Sequence, residues 1–96
     1  MAAVVLTPSA VQRFERLVET HSLPPDTRDR LRRSLEPLQE FPLLGAPLHG
    51  RWADFRFVLG PWQWMIVVYA CDEARDRVLV VTIQDARSAT AATNPA

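Results

Sequence analysis

Arginine is the residue type in this sequence best suited to bind phosphate or carboxylate. All eleven basic residues are arginine, and eleven acidic residues balance them to a formal net charge of zero. A planar guanidinium can form paired hydrogen bonds with either anion. The densest group of arginines lies within residues 28–33. Acidic residues are interleaved at Asp26, Asp29 and Glu36, which favours a solvated helix face over a nucleic-acid stripe.

Three tryptophans are the other side chains suited to recognition. Trp52, Trp62 and Trp64 could stack on bases, as aromatic residues do in proteins that bind single strands. Trp62 and Trp64 are two positions apart, so on a strand they would share one face. They could then equally be core residues or anchors for a partner peptide. We favour the core or partner role over base stacking.

Other catalytic or ligand-binding groups are sparse. His21 and His49 lack cysteine or carboxylate companions at ligand spacing, which argues against a metal site. Cys71 is the single cysteine, so it cannot form an internal disulfide, and no histidine lies close to it in the sequence. The sequence has no glycine-rich phosphate loop, serine elbow or paired-carboxylate motif. We therefore expect neither a metal nor another cofactor.

Length and composition are those of one small folded domain. The chain has 96 residues, of which 48% are hydrophobic and 23% charged. This is enough for a modest core but not for separate catalytic and regulatory modules. The longest apolar run, residues 64–70, is far shorter than the roughly twenty residues that a transmembrane helix needs. No secretory leader is recognisable, so we expect a cytoplasmic protein without a membrane segment.

The first half of the sequence predicts a strand followed by two helices. Residues 2–6 are apolar and partly β-branched, as in a strand. Thr7 followed by Pro8 is typical of a helix N-terminus. Apolar residues then recur at spacings of three and four through residues 11–18 and again through residues 31–38. A proline within the second stretch should kink or end that helix, because it lacks a backbone N–H.

The second half predicts three strands. A loop rich in proline and glycine at residues 42–50 leads to the first strand, where Arg56 alternates with aromatic residues. Residues 62–69 are nearly all apolar, as in a central strand. A polar turn joins them to a last strand at residues 77–84. The predicted fold is therefore α+β, with the order strand, helix, helix, strand, strand, strand.

We expect one domain at residues 1–88, followed by a disordered tail of small and polar residues at 89–96. A single core should lie between the helical hairpin and the sheet. Its predicted members are the apolar residues Phe14, Leu17, Leu31, Leu35, Phe55, Phe57, Val67 and Val80.

This order of elements resembles that of the RelE/ParE toxins of bacterial type II toxin-antitoxin systems. The resemblance is carried by Leu6–Ala10 before the first helix, the loop Pro42–Gly50, the strand Phe55–Phe57 and a hydrophobic strand that ends in Tyr69. The segment Asp85–Arg87 is similar to the short basic segment that ends the last strand of the family. The resemblance covers nearly the whole chain and implies a toxin domain with the family's fold.

The resemblance implies two candidate catalytic residues. Ribonuclease members of the family place cations around the scissile phosphate, because negative charge gathers on its oxygens in the transition state. Arg56 lies where a basic residue of the first of the three later strands contacts RNA. Arg87 lies near the basic residue that follows the last strand. Such an enzyme also needs a group that moves a proton from the ribose hydroxyl.

Other parts of the family's catalytic set have no counterpart in the sequence. An arginine that many members carry in the middle of the three later strands falls at Met65 or Ile66. The residues after Arg87 include neither tyrosine nor histidine. Since the loss of one preorganised contact costs about a hundredfold or more in rate, we expect RNA cleavage to be weak or absent.

The resemblance also implies partners. Members are neutralised by a cognate antitoxin and act on mRNA at the ribosome or, in ParE-like members, on DNA gyrase. Two hypotheses follow: an mRNA endoribonuclease, or a non-catalytic binding module that is gyrase-directed or has lost its toxicity. In both, we expect an antitoxin segment to cover apolar surface beside the sheet. Arginines such as Arg13 or Arg33 would meet acidic residues at the rim of that surface.

Overall fold

The computed structural model describes residues 1–87, which fold into a mixed sheet with helices packed on one face. Strand β1 (Ala3–Leu6) runs directly into helix α1 (Pro8–Thr20). The next helices are α2 (Thr27–Leu35) and the single turn α3 (Pro37–Glu40). The later elements are the strands β2 (Ala46–Pro47), β3 (Arg56–Leu59), β4 (Met65–Asp72) and β5 (Arg77–Asp85), with 3-10 turns at Gly50–Trp52 and Glu73–Arg75. The predicted α+β order is confirmed, with β2 as an additional strand.

Helix α1 begins at the predicted cap. The hydroxyl oxygen of Thr7 accepts a hydrogen bond from the backbone N–H of Ala10 at 3.1 Å. Pro8 occupies the first turn, where its missing N–H costs nothing because the helix offers no acceptor there. Ala10 and Phe14 face inward and are buried. This apolar face places α1 over β5.

Helix α2 ends where a proline interrupts the chain. Leu31 and Leu35 are each 3% exposed and pack into the core. The helix stops at Leu35, and Pro37 opens α3, so the predicted break is confirmed. The carbonyl of Gln39 in α3 accepts a hydrogen bond from the N–H of Ala2 at 2.8 Å. This bond holds α3 against the beginning of β1.

The strand order of the sheet is β1-β5-β4-β3-β2. β1 is parallel to β5, and the other neighbours are antiparallel. β4 is the central strand, as its apolar residues predicted. It begins at Met65, so the strand predicted at residues 62–64 is wrong there. Those residues form the turn between β3 and β4, which is closed by a hydrogen bond from the N–H of Gly60 to the carbonyl of Met65 at 2.8 Å.

Apolar residues pack on both faces of the sheet. The larger cluster, between the helices and the sheet, includes Phe14, Leu31, Leu35, Val67 and Val80, with Leu17 packed against it. The smaller cluster contains Leu48, Ile66 and Val68, with Phe55 and Phe57 packed against them. The prediction of one shared core is therefore wrong for both phenylalanines. Val58 packs against the helical side, so alternation along β3 turns Phe57 to the opposite face.

Residues 88–96 lie outside the part of the chain that the structure describes. The predicted domain boundary at residue 88 and the disordered tail predicted at residues 89–96 therefore stay predictions. Within residues 1–87, no helix is both long and apolar enough to cross a bilayer.

Replacing Leu35 with alanine should lower the free energy of unfolding by about 2 to 5 kcal/mol, because it removes a buried side chain and leaves a cavity. Urea unfolding followed by circular dichroism measures this change. Leu44→Ala is the matched control, since Leu44 is 58% exposed and should lose less than about 0.5 kcal/mol. Equal losses in the two variants would contradict the described core.

Candidate functional site

The two arginines predicted to be catalytic lie in different clusters. Arg56 begins β3 and pairs with Tyr69 of β4. Arg87 follows Asp85, which pairs with Met65 at the beginning of β4. Because a strand rises about 3.3 Å per residue, the positions of Tyr69 and Met65 are separated by roughly 13 Å along β4. Each arginine has its own bonding partners in its own cluster.

The guanidinium of Arg56 holds the loop that precedes β2. Its Nη1 donates hydrogen bonds to the carbonyl of Gly45 at 2.8 Å and to the carbonyl of Leu43 at 3.3 Å. Carbonyl oxygens at a loop have no strand or helix partner, so the N–H groups of a guanidinium are well suited to satisfy them. These contacts give Arg56 a structural role. Its predicted catalytic role stays a prediction.

Tyr69 completes this anchor from beneath the loop. Its hydroxyl donates to the carbonyl of Pro42 and accepts from the N–H of Gly45, both at 2.8 Å. The side chain is fully buried, and burial raises the pKa of the Tyr69 hydroxyl against the opposing effect of the Gly45 N–H. A Cβ atom on Gly45 would lie 2.7 Å from the Tyr69 hydroxyl. Glycine is therefore required at this close approach.

The anchored loop presents apolar side chains to the solvent. Phe41, Leu43 and Leu44 are 60%, 61% and 58% exposed, respectively. Cys71, on the same β4 face as Tyr69, donates from Sγ to the carbonyl of Pro42 at 3.3 Å. Burial raises the pKa of its thiol, which favours the unreactive protonated form. The cysteine therefore contributes to holding the loop.

The second cluster is built around the carboxylate of Asp85. Nε and Nη2 of Arg87 donate to its two oxygens at 3.1 and 3.3 Å, and the backbone N–H of Arg87 donates at 2.8 Å. The side-chain hydrogen bond from Arg87 holds the pKa of Asp85 below its ordinary value. The guanidinium carbon lies 4.8 Å from the ring centroid of Trp64. Arg87 is thus fixed against an indole and a carboxylate.

His21 joins the same cluster from the end of α1. Its Nε2 lies 3.2 Å from Oδ2 of Asp85, and its ring centroid lies 4.6 Å from that of Trp64. The pairing of His21 with a carboxylate was not predicted from the sequence, because Asp85 lies near the other end of the chain. Only the packing of α1 on β5 brings the imidazole and the carboxylate together.

The tryptophans belong to this end of the sheet. Trp62 and Trp64 stack with ring centroids 6.3 Å apart, and both pack against the larger core cluster. The guanidinium of Arg30 lies 5.8 Å from the centroid of Trp62. Of the two roles favoured over base stacking, core or partner contact, the structure shows the core contact, although both residues lie in a turn and not on a strand. Trp52 is 41% exposed and contacts Phe55.

An open cavity of about 410 Å³ lies beside β1, on the helical side of the sheet. We call it the β1 groove. Its apolar residues are Val4 and Leu6 of β1 and Leu31 and Leu35 of α2, and its polar residues are Arg28, Arg32, Glu36 and Gln39. Among the strands within residues 1–87, β1 lies at the edge of the sheet and pairs with β5 alone. The N–H groups of Ala3 and Thr7 donate to the carbonyls of Asp76, just before β5, and of Val80 in β5, so those of the alternate residues point to the open edge.

No group of three or more histidine, cysteine, aspartate or glutamate side chains within residues 1–87 is arranged to hold a metal ion.

Comparison with known proteins identifies the fold. No family model and no curated protein sequence matches the chain. The toxin-antitoxin complex RelBE2 from Mycobacterium tuberculosis matches 88% of this chain and 96% of its own, with a TM-score of 0.66 at 20% identity. An Escherichia coli RelE mutant in complex with an antitoxin RelBc peptide matches 92% and 86%, with a TM-score of 0.67 at 16% identity. The fold is that of the RelE/ParE toxins.

A YoeB/ParE toxin from Agrobacterium tumefaciens supports the same assignment, with a TM-score of 0.66 at 17% identity over 86% of this chain and 96% of its own. The RelE/ParE-like fold predicted from the sequence is therefore confirmed. At these identities the likeness shows the fold.

Tyr69 is the single tyrosine of the chain, so its ionisation can be followed directly. The absorbance of tyrosinate should appear in the folded protein only above the ordinary tyrosine pKa of about 10. In urea, the pKa of Tyr69 should return to the ordinary tyrosine value. Since the folded pKa is raised, the stability that this group contributes is present below the unfolded pKa and is lost as pH rises.

Tyr69→Phe should lower the free energy of unfolding by about 1 to 3 kcal/mol, because two backbone groups lose a buried partner. Because this variant has no tyrosine, it also serves as the blank for the absorbance titration. An ordinary titration in the folded state, together with an unchanged stability of the variant, would contradict the described anchor.

Proposed function

We propose that this chain is the toxin component of a type II toxin-antitoxin system and that a cognate antitoxin binds it at the β1 groove. Two of the structural neighbours are complexes of a toxin with an antitoxin or an antitoxin peptide. Within this chain, the proposal is supported by an open strand edge next to an apolar groove. Such an edge is a template for an added strand.

The two edges of the sheet differ in their capacity to accept a partner. β2 has two residues, and one of them, Pro47, has no backbone N–H to offer. β1 has four residues, and no strand of the described part of the chain pairs with its outer backbone groups. Strand addition is therefore favoured at β1.

The lining of the groove indicates the chemistry of the segment that fits it. Alternate apolar side chains of an extended segment would meet Leu31 and Leu35 on the floor. Arg28 and Arg32 line the groove, and in the proposed complex they have the role that the sequence analysis gave to arginines such as Arg13 or Arg33. Acidic residues of the antitoxin would contact these guanidinium groups at the rim. A few apolar anchors have to offset the entropy lost when a disordered segment becomes ordered.

Of the two targets that the resemblance implies, RNA is supported by a specific observation. Arg87 holds an exposed guanidinium next to His21 and Asp85, and an arginine beside an acid-base group suits phosphodiester chemistry better than it suits a protein interface alone. DNA gyrase is the alternative target. The proposal places the protein in the cytoplasm, where ribosomes, mRNA and gyrase are found.

Charge reversal at the groove tests the antitoxin proposal. The double substitution Arg28→Glu and Arg32→Glu should weaken binding of the antitoxin encoded by the adjacent reading frame by at least about tenfold, or ~1.4 kcal/mol. Isothermal titration calorimetry measures this affinity. Both side chains are 71% exposed, so the fold should be retained.

The matched control is Arg13→Glu with Arg16→Glu, which makes the same change of charge on the exposed face of α1. It should bind the antitoxin as the wild type does. Hydrogen exchange should also show that binding protects the amides of Val4 and Leu6. Equal losses in both double variants, or unprotected β1 amides, would contradict binding at the groove. A chain that does not bind the product of its adjacent gene would overturn the proposed function.

A further inference from the structure

His21 has the environment of a general base. The carboxylate of Asp85 lies 3.2 Å from Nε2 and favours the tautomer that carries its proton there. Nδ1 of that tautomer keeps its lone pair and can accept a proton. The indole of Trp64 packs against the ring and limits its rotation. The side chain is 27% exposed, so a substrate can reach it.

Arg87 places a cation beside this base. Both side chains contact the same carboxylate and the same indole, so they are neighbours. Two of the five guanidinium N–H donors are directed at Asp85, which leaves three for another anion. The side chain is 60% exposed. The open side of the guanidinium can therefore bind a phosphate next to the imidazole.

We propose that His21 and Arg87 form an RNA-cleaving site, in which His21 is the general base, Arg87 binds the scissile phosphate and Asp85 is a positioning residue. This inference rests on the proposed action on RNA. It differs from the sequence prediction, which named Arg56 together with Arg87, placed no histidine at the site and expected RNA cleavage to be weak or absent. The catalytic histidine comes from the end of α1, and Arg56 is engaged by the loop carbonyls.

The reaction consistent with this geometry is transesterification within the RNA. Nδ1 of His21 accepts the proton of a ribose 2′-hydroxyl, and the oxygen attacks the adjacent phosphorus. The O2′–P bond forms and the P–O5′ bond breaks, while the 5′-oxygen leaves and takes a proton from solvent. The products are a 2′,3′-cyclic phosphate and a 5′-hydroxyl end. The step needs neither a metal nor a redox partner, and Arg87 stabilises the charge that gathers on the phosphate oxygens.

Cleavage of a mixed-sequence single-stranded RNA by the purified full chain tests the proposal. The wild type should cleave it in the presence of EDTA and give the two end groups named above. His21→Gln should lower the rate about a hundredfold or more. The glutamine amide can still donate a hydrogen bond to Asp85, but it cannot accept the proton of the 2′-hydroxyl. If His21 had only a structural role, the rate of this variant would therefore be unchanged.

Further variants separate catalysis from folding. His49→Ala is the matched control, because it removes the other histidine of the chain from an exposed loop position, and it should cleave as the wild type does. Added imidazole should restore part of the rate lost in His21→Ala. Arg87→Ala should raise KM and lower kcat, and Asp85→Asn should change the pH profile of the rate. Circular dichroism and thermal unfolding on each preparation identify a variant that does not fold.

Antitoxin binding measured on the same preparations distinguishes the two proposals. Absence of cleavage by a wild-type chain that binds its antitoxin would overturn the His21 site and leave the proposed function standing. A cleavage rate that is unchanged in His21→Gln would also overturn the His21 site. Loss of cleavage in His21→Gln with partial rescue of His21→Ala by imidazole would support it.

Discussion

The parallel pairing of β1 with β5 is the contact on which the rest of the structure depends. It joins the first strand to the last with Leu6 opposite Val80, and the N–H of Thr7 donates to the carbonyl of Val80 at 3.0 Å. α1 begins at this point and packs along β5. Its last turn therefore reaches Asp85, where His21 meets the carboxylate. The same pairing leaves β1 at the edge of the sheet and creates the groove beside α2.

The central strand separates two clusters with different physical roles. Near one end, Tyr69 is fully buried and binds two backbone groups of a loop, and Arg56 closes over the same loop. At the other end, Trp64 precedes the strand and packs against an imidazole and a guanidinium that remain partly exposed. Buried polar groups with every bond satisfied make a rigid anchor. Exposed groups held on one side only are the ones that can bind a ligand.

The two edges of the sheet show how a small domain limits unwanted pairing. β2 is two residues long and contains Pro47, which makes it a poor template for another strand. β1 has no such protection, although its neighbour α2 adds apolar residues and two arginines to the groove beside it. An unprotected edge next to an apolar groove is costly unless a partner covers it. This asymmetry is the physical basis for the proposed antitoxin site at β1.

The sequence by itself determined the elements and much of the larger core. The cap at Thr7 and Pro8, the break at Pro37 and the apolar run of β4 are local signals that depend on backbone chemistry and side-chain spacing. Only the tertiary structure decided that Phe57 packs on the second face, that residues 62–64 form a turn, and that Pro47 pairs with Arg56. It also gave Arg56 its loop carbonyls and brought His21 to Asp85. These contacts join residues distant in sequence, and no local spacing encodes them, because the parallel pairing of β1 with β5 sets which distant side chains meet.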